Sequence, residues 1–321
     1  VSEEKNGFSG VTFERQDTQV KIETCGYRDM ANKLSIHVDT KFGTASMGKT
    51  FIAVAIMQLI ESDKLSFSAT IKEIYNGSLG TIEDNITIHE LLTHTSGIQD
   101  YFDESINDGY ESLWKEIPNY SIRKNSDILP LFINKVQDNT RRGKFIYNNA
   151  GYVILADIIE KIDTVTLDNF LNENIFKKLN MTNTGYYELD QLPKNTATSY
   201  IKTKNGSPRS NIYSIDSKGT GAGGCFTTVI DICNFWDGLF SFKIISEESI
   251  SEMFKKHAES DDEKYGLGFW LTKDEEYIYM EGSDPGISCI SLYNLKGKNI
   301  YTVISNYEDN VWQMARDYLV R

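Results

Sequence analysis

The chain is poor in the residues that staple or punctuate a fold. Among 321 residues there are five prolines and four cysteines. Cys25, Cys225, Cys233 and Cys289 are scattered and form no C-x-x-C pair, which argues against both a disulfide framework and a metal-binding thiol cluster. Buried free thiols are the expectation. Reduced thiols fit a cytoplasmic protein, and an exported protein with its leader removed fits as well, since the chain starts at Val1; the compartment stays open. His37, His89, His94 and His257 make no H-E-x-x-H, so no zinc and no other cofactor is expected. Long hydrophobic runs are missing too. The longest, Phe51 to Ile60, is interrupted by Gln58 and falls short of the roughly 20 residues of a membrane span, so it reads as a core helix and no transmembrane segment is expected. Positive charge is in the minority, with 33 Lys and Arg against 46 Asp and Glu and a net charge of -13. An acidic surface repels phosphate, which sets nucleic acid aside as a partner and argues against an anionic membrane face. There is no repeat, low-complexity tract or Pro/Ser-rich linker, so residues 1–321 are expected to form one domain.

What is present is patterned. Gly10 to Arg15 and Val20 to Cys25 alternate around Gln16 to Gln19, which predicts a hairpin. Residues 69–215 carry mostly helical patterns and loops, with Gly151 to Lys161 a clear helix. Strand patterns return at Leu267 to Thr272, Tyr277 to Glu281, Ile287 to Asn294 and Asn299 to Ser305, before a closing helix over Asn310 to Val320. Strands at both ends that pair into one sheet, about 1–68 with 216–321, and a helical insertion between them, about 69–215, give an α+β architecture: an antiparallel sheet flanked by helices, with an inserted helical subdomain.

S-x-x-K recurs, at Ser2/Lys5, Ser46/Lys49, Ser121/Lys124 and Ser199/Lys202 among others, so the pattern alone carries little. Of these, Ser46 stands just before the apolar helix. Positions i and i+3 share a helix face, which sets Lys49 one turn above Ser46, and the helix dipole favours negative charge near the serine. Desolvation beside Phe51 and Ile52 would lower the lysine pKa toward that of a usable base. The plain alternative is an N-cap serine followed by an exposed lysine. Tyr147-Asn148-Asn149 is the one Y-x-N in the chain, at a helix entry. A tyrosine hydroxyl can relay a proton and an asparagine amide can hold a carbonyl; a packing tyrosine and a helix cap are the alternatives. His94 invites a Ser-His-Asp reading, but no G-x-S-x-G elbow occurs, and packing or hydrogen bonding is its expected role.

Together these residues resemble the serine penicillin-recognising hydrolases: class C β-lactamases, low-molecular-weight penicillin-binding proteins, D-alanyl-D-alanine carboxypeptidases and related esterases. The likeness covers nearly the whole chain. It rests on Thr40 to Lys49, on the string Ile86-Thr87-Ile88-His89-Glu90-Leu91-Leu92-Thr93-His94-Thr95-Ser96-Gly97-Ile98, on Tyr147 to Tyr152, on Leu179 to Thr184, on Gly221 to Gly224 and on Tyr265 to Gly268. The resemblance implies a β-lactamase/transpeptidase-like fold and a site between sheet and helices. It implies that Ser46 forms an acyl-enzyme, that Lys49 and Tyr147 exchange the proton, and that Asn149 orients the substrate amide or Lys49. The backbone N–H groups of Ser46 and Ser283 would form the oxyanion hole.

One departure bears on the substrate. Where the family carries Lys-Thr-Gly or His-Ser/Thr-Gly, this chain has Met280-Glu281-Gly282. Gly282 keeps the close backbone approach, but cation and hydroxyl are gone, and an ionised Glu281 facing the cleft would repel an anionic substrate; the alternative is that Glu281 turns away and pairs with a surface lysine such as Lys273. The expected enzyme is an esterase or amidase on small or D-aminoacyl substrates. A penicillin-binding D-alanyl-D-alanine carboxypeptidase or a β-lactamase, and a non-catalytic binding or sensing relative, are the alternatives, and the expected partner is a small-molecule or peptidoglycan-type substrate. Sequence leaves the oligomeric state open.

Overall fold

The computed structural model describes residues 7–103, 109–138, 140–204 and 206–320. The alternating first segment forms its hairpin: β1 (Gly10–Gln16) and β2 (Gln19–Cys25) pair antiparallel, and Asp17 takes the left-handed turn position at φ 51°. Six further strands lie near the end of the chain: β3 (Ala258–Glu259), β4 (Lys264–Tyr265), β5 (Trp270–Leu271), β6 (Tyr277–Asp284), β7 (Ile287–Asn294) and β8 (Ile300–Ser305). The eight make one antiparallel sheet in the order β2-β1-β8-β7-β6-β5-β4-β3. The hairpin joins the other six strands through the pairing of β1 with β8, Gly10 opposite Ser305, so segments almost 300 residues apart meet in one sheet.

Strand alternation splits this sheet between two cores. Cys289, Tyr293, Ile300 and Ile304 face the larger one. Ile290, Leu292, Tyr301 and Val303 face the other way, onto Val311, Ala315 and Tyr318. Four longer helices flank the sheet or fill the larger core: α1 (Lys49–Glu61), α2 (Asn149–Asp163), α3 (Val229–Phe240) and α4 (Val311–Leu319). α1 is buried almost all round, from Phe51 to Met57 and at Leu59, as a helix with no polar stripe must be. No described helix is long and apolar enough to cross a membrane.

Some elements differ from expectation. The segment Leu267 to Thr272 is strand only at Trp270–Leu271, because Gly268 turns left-handed at φ 81°. The last third also contains α3, which the strand pattern hides. Its signal is local: Thr228 caps the helix by accepting from the Asp231 N–H at 3.1 Å, and Ile232, Phe235, Trp236 and Leu239 follow at helical spacing. The Trp236 indole N–H donates to Ser291 Oγ at 2.9 Å and fixes α3 on β7. The Thr87 to Glu90 part of the long string is a capping box, the Thr87 side chain accepting from the Glu90 N–H and the Glu90 carboxylate from the Thr87 N–H. Glu90 then binds the Arg142 guanidinium at 2.7 Å, which ties the segment leading to Tyr147 to the helical region.

Candidate active site

Ser46 lies in a short 3-10 turn, Ala45–Gly48, that runs straight into α1. In that geometry side chains at i and i+3 eclipse, so Lys49 stands directly over Ser46. Ala45 is held at φ 46°, an uncommon conformation for a residue with a Cβ. Two glycines hold it there. The Gly224 N–H donates to Ala45 O at 3.1 Å, and a Cβ on neighbouring Gly223 would fall 2.4 Å from that oxygen. From the sheet side, a Cβ on Gly282 would fall 2.1 Å from Thr44 O and 2.8 Å from Ser46 N. β6 and the 219–224 turn therefore close on the serine backbone from two directions.

Lys49 is 2% exposed. Its ammonium donates to Ser46 Oγ at 2.9 Å, to Asn149 Oδ1 at 2.7 Å and to the carbonyl of Ala222. Three polar partners offset the desolvation of a buried cation. Asn149 is the first residue of α2, whose cap is Asn148, accepting from the Gly151 N–H at 2.7 Å. The cap is thus one residue earlier, and the Asn149 side chain is left to hold Lys49. Its backbone is held in turn by Asp100. That buried carboxylate accepts from the N–H groups of Asn149 and of Ala150 (3.2 Å), and also from Phe102 (3.3 Å). A carboxylate at a helix N-terminus meets both unpaired N–H groups and the positive end of the dipole.

The Tyr147 ring lies with its centre 5.0 Å from Lys49 Nζ, stacked on Trp270 at 5.9 Å and against His94 at 4.5 Å. The His94 Nδ1 accepts from the Asn148 N–H at 3.0 Å, which leaves the proton on Nε2. Burial, and then the Lys49 charge, push this imidazole well below its ordinary range. A neutral, fixed histidine supports the turn into α2; it is not poised over Ser46.

A cleft of about 290 Å³ opens in front of the serine, lined by Ser46, Asn149, Ser283 and the 219–224 turn. Tyr101, Tyr110, Asp216, Asp284 and Glu308 line it too, with no Lys, Arg or His among the described lining residues. The fold thus brings together Ser46, Lys49, Asn149, Gly282 and Ser283, with Tyr147 against the lysine. Glu281 is a correction. Alternation along β6 turns Met280 into the larger core and Gly282 toward Ser46, so the side chain between them faces the opposite side of the sheet. There the Glu281 carboxylate accepts from the indole N–H of Trp312 on α4, and it does not line the cleft. Asp100, Trp270 and Asp216 escaped the sequence reading. Only Asp100 had a local signal, its place just after the long string.

A family model described as Beta-lactamase matches residues 7–320. The chain belongs to the Beta-lactamase family. It is 33% identical to a penicillin binding protein from Bacillus halodurans, whose crystal structure it matches at a TM-score of 0.93 over 98% of this chain and 97% of that one. It is 27% identical to the putative penicillin-binding protein PbpX of Bacillus subtilis (strain 168), over 95% of this chain and 72% of the relative. A D-amino acid amidase from Ochrobactrum anthropi SV3 shares the fold at a TM-score of 0.77 and 22% identity, covering 94% of this chain and 87% of that one. The family is one of serine hydrolases with this mixed fold of a large antiparallel sheet and helices.

Proposed function

We propose that this family member is an acyl-enzyme hydrolase of small esters or amides, with D-aminoacyl compounds among its substrates. The observation that carries the reading is the buried Lys49 ammonium, bonded at once to Ser46 Oγ and to Asn149 Oδ1. Ser46 Oγ attacks the substrate carbonyl carbon and gives up its proton to the Lys49–Tyr147 pair, which must hold one proton fewer at that moment, as a neutral Lys49 amine or as a Tyr147 phenolate beside the Lys49 ammonium. The same proton reaches the leaving alkoxide or amine as the C–O or C–N bond breaks. The developing oxyanion is held by the N–H groups of Ser46 and Ser283, and water releases the acyl group by the reverse sequence. Asn149 keeps Lys49 on the serine. Two things support the choice of substrate. The described lining residues offer no cation to hold a carboxylate, and a structural relative is a D-amino acid amidase. A second reading, acylation by penicillin, is favoured by the 33% identity to the Bacillus halodurans penicillin binding protein.

Intact-protein mass spectrometry tests both. Wild type should gain one adduct from a fluorophosphonate, and Ser46→Ala should gain none and turn over no p-nitrophenyl ester. An adduct that persists in Ser46→Ala would remove Ser46 from the mechanism. Rapid, stable labelling by benzylpenicillin would move the assignment to the second reading.

A further inference from the structure

Three groups in the cleft take no part in moving the Ser46 proton: Tyr101, Tyr110 and Asp216. The Tyr110 hydroxyl donates to Asp216 Oδ1 at 2.9 Å. Among the described residues Asp216 receives no other hydrogen bond and forms no ion pair, though a carboxylate offers about four acceptor sites. The Tyr101 side chain, only 6% exposed, lines the same cleft, and its hydroxyl is buried beside it. It makes no hydrogen bond of ordinary length to a described residue, although Tyr110 is near enough to influence it. A buried hydroxyl left in this way is uncommon, and it points to a partner that arrives with the ligand.

The charge around these groups is of one sign. Asp284 and Glu308 share the lining with Asp216. The cation nearest by its influence on Asp216 is Lys49, already committed to Ser46, Asn149 and Ala222. Tyr101, Phe102 and Tyr110 supply aromatic rings to the same wall and no positive charge. An anion fits poorly here; a small cation carrying N–H donors supplies what both the carboxylate and the tyrosine oxygen lack.

We propose that Asp216, with the Tyr101 hydroxyl as a second acceptor, binds the free α-ammonium group of an aminoacyl ester or amide whose carbonyl lies at Ser46. The inference rests on the hydrolase reading and names its substrate class: acyl groups with an unblocked amine. Its setting supports it: Asp216 is half-buried in the cleft wall, and desolvation there pushes its carboxyl up to about 7, against the opposing pull of Tyr110 and Lys49. A group so placed gains most from an incoming cation.

The test compares kcat/KM for D-alanine p-nitroanilide and its N-acetyl derivative. Wild type should favour the free amine about tenfold or more, the worth of one charge-assisted hydrogen bond. Asp216→Asn should bring that ratio close to one, and Tyr101→Phe should lower it in part. The wild-type ratio should also pass through a maximum in pH. Asp216 must ionise, near 7, while an α-amino group, with an ordinary pKa of about 7.7–8.0, must stay protonated. Tyr101 and Tyr110 from the helical region, Lys49 on α1, Asp284 on β6 and Glu308 beyond β8 set the charge that Asp216 meets. Because the ratio and its pH profile come from wild type, they decide the matter even where a variant fails to fold. Equal turnover of the two compounds by wild type, or an unchanged ratio in folded Asp216→Asn, overturns the amine site and leaves the hydrolase reading standing. A wild type that hydrolyses neither compound, nor a p-nitrophenyl ester, and takes no fluorophosphonate overturns the hydrolase reading itself and the amine site with it.

Discussion

Replacing Asp100 by asparagine should loosen the site from beneath without touching Ser46 or Lys49. Among the described residues the carboxylate accepts from the backbone N–H groups of Asn149 and Ala150 at the start of α2 and from that of Phe102. Asparagine keeps one acceptor oxygen, so whichever way it turns, its NH₂ faces at least one of those donors. A hydrogen bond to a charged group is worth about 1.5–3 kcal/mol. Removing the charge from the helix N-terminus adds about 0.3–1 kcal/mol, and up to ~2 where partly buried. The sum is roughly 3 kcal/mol. At about 2–4 °C per kcal/mol, the value for domains of 150–250 residues, Tm should fall by at most roughly 6–12 °C in a calorimetric scan, this chain being larger. The same carboxylate sets the position of Asn149, and Asn149 that of Lys49. Ester turnover well below the transition should therefore drop about tenfold or more, since small misplacements of reacting groups are expensive in rate. An Asp100→Asn protein with Tm within ~1 °C of wild type and undiminished turnover would refute the chain of positioning from Asp100 to Lys49.

Lys49→Ala and Tyr147→Phe should each slow acylation by about 10²–10⁴, the usual worth of general acid–base assistance; losses under about threefold for both would put the proton elsewhere. Glu281→Gln should leave acylation by benzylpenicillin and by a neutral ester unaltered, because its carboxylate meets Trp312 on the far face of the sheet; a selective gain with penicillin would put that carboxylate back in the cleft. Asp216→Asn should change stability in a pH-dependent way. The carboxyl titrates near 7 in the fold against an ordinary 3.8, so the folded state holds the proton more tightly and wild-type stability falls as pH rises from about 4 to about 7. The variant, with no charge to bury, should gain in Tm relative to wild type at about pH 8 compared with about pH 4, and equal offsets at both would contradict burial as the cause.

The parts of this protein legible in the sequence are those with a local period or a local cap. The first hairpin, the apolar α1, the helix after Tyr147 and the pairs Ile287–Asn294 and Ile300–Ser305 all announce themselves by spacing. α3 was equally local, with Thr228 as its cap, but its apolar residues are too dense to separate from strand at a glance. Glu281 shows where local reading stops. Its neighbours Met280 and Gly282 serve the core and the Ser46 backbone, and alternation alone already placed the residue between them on the other face; what lies on that face is decided by α4, thirty residues on.

By itself the sequence determined the first hairpin, α1, the helix after Tyr147, the closing strands, the strings that carry the family likeness, and the pairing of Ser46 with Lys49, because each depends on residues within a turn or two of one another. Only the tertiary structure decided how that pair is used. Lys49 finds Asn149 a hundred positions away, and the carbonyl of Ala222 on a glycine turn farther still. Tyr101, Tyr110 and Asp216 share a cleft with Ser46 because packing of the sheet against the helical region brings their segments to one wall. Apolar burial drives that packing without direction, and no short-range pattern records which polar groups it will leave facing each other.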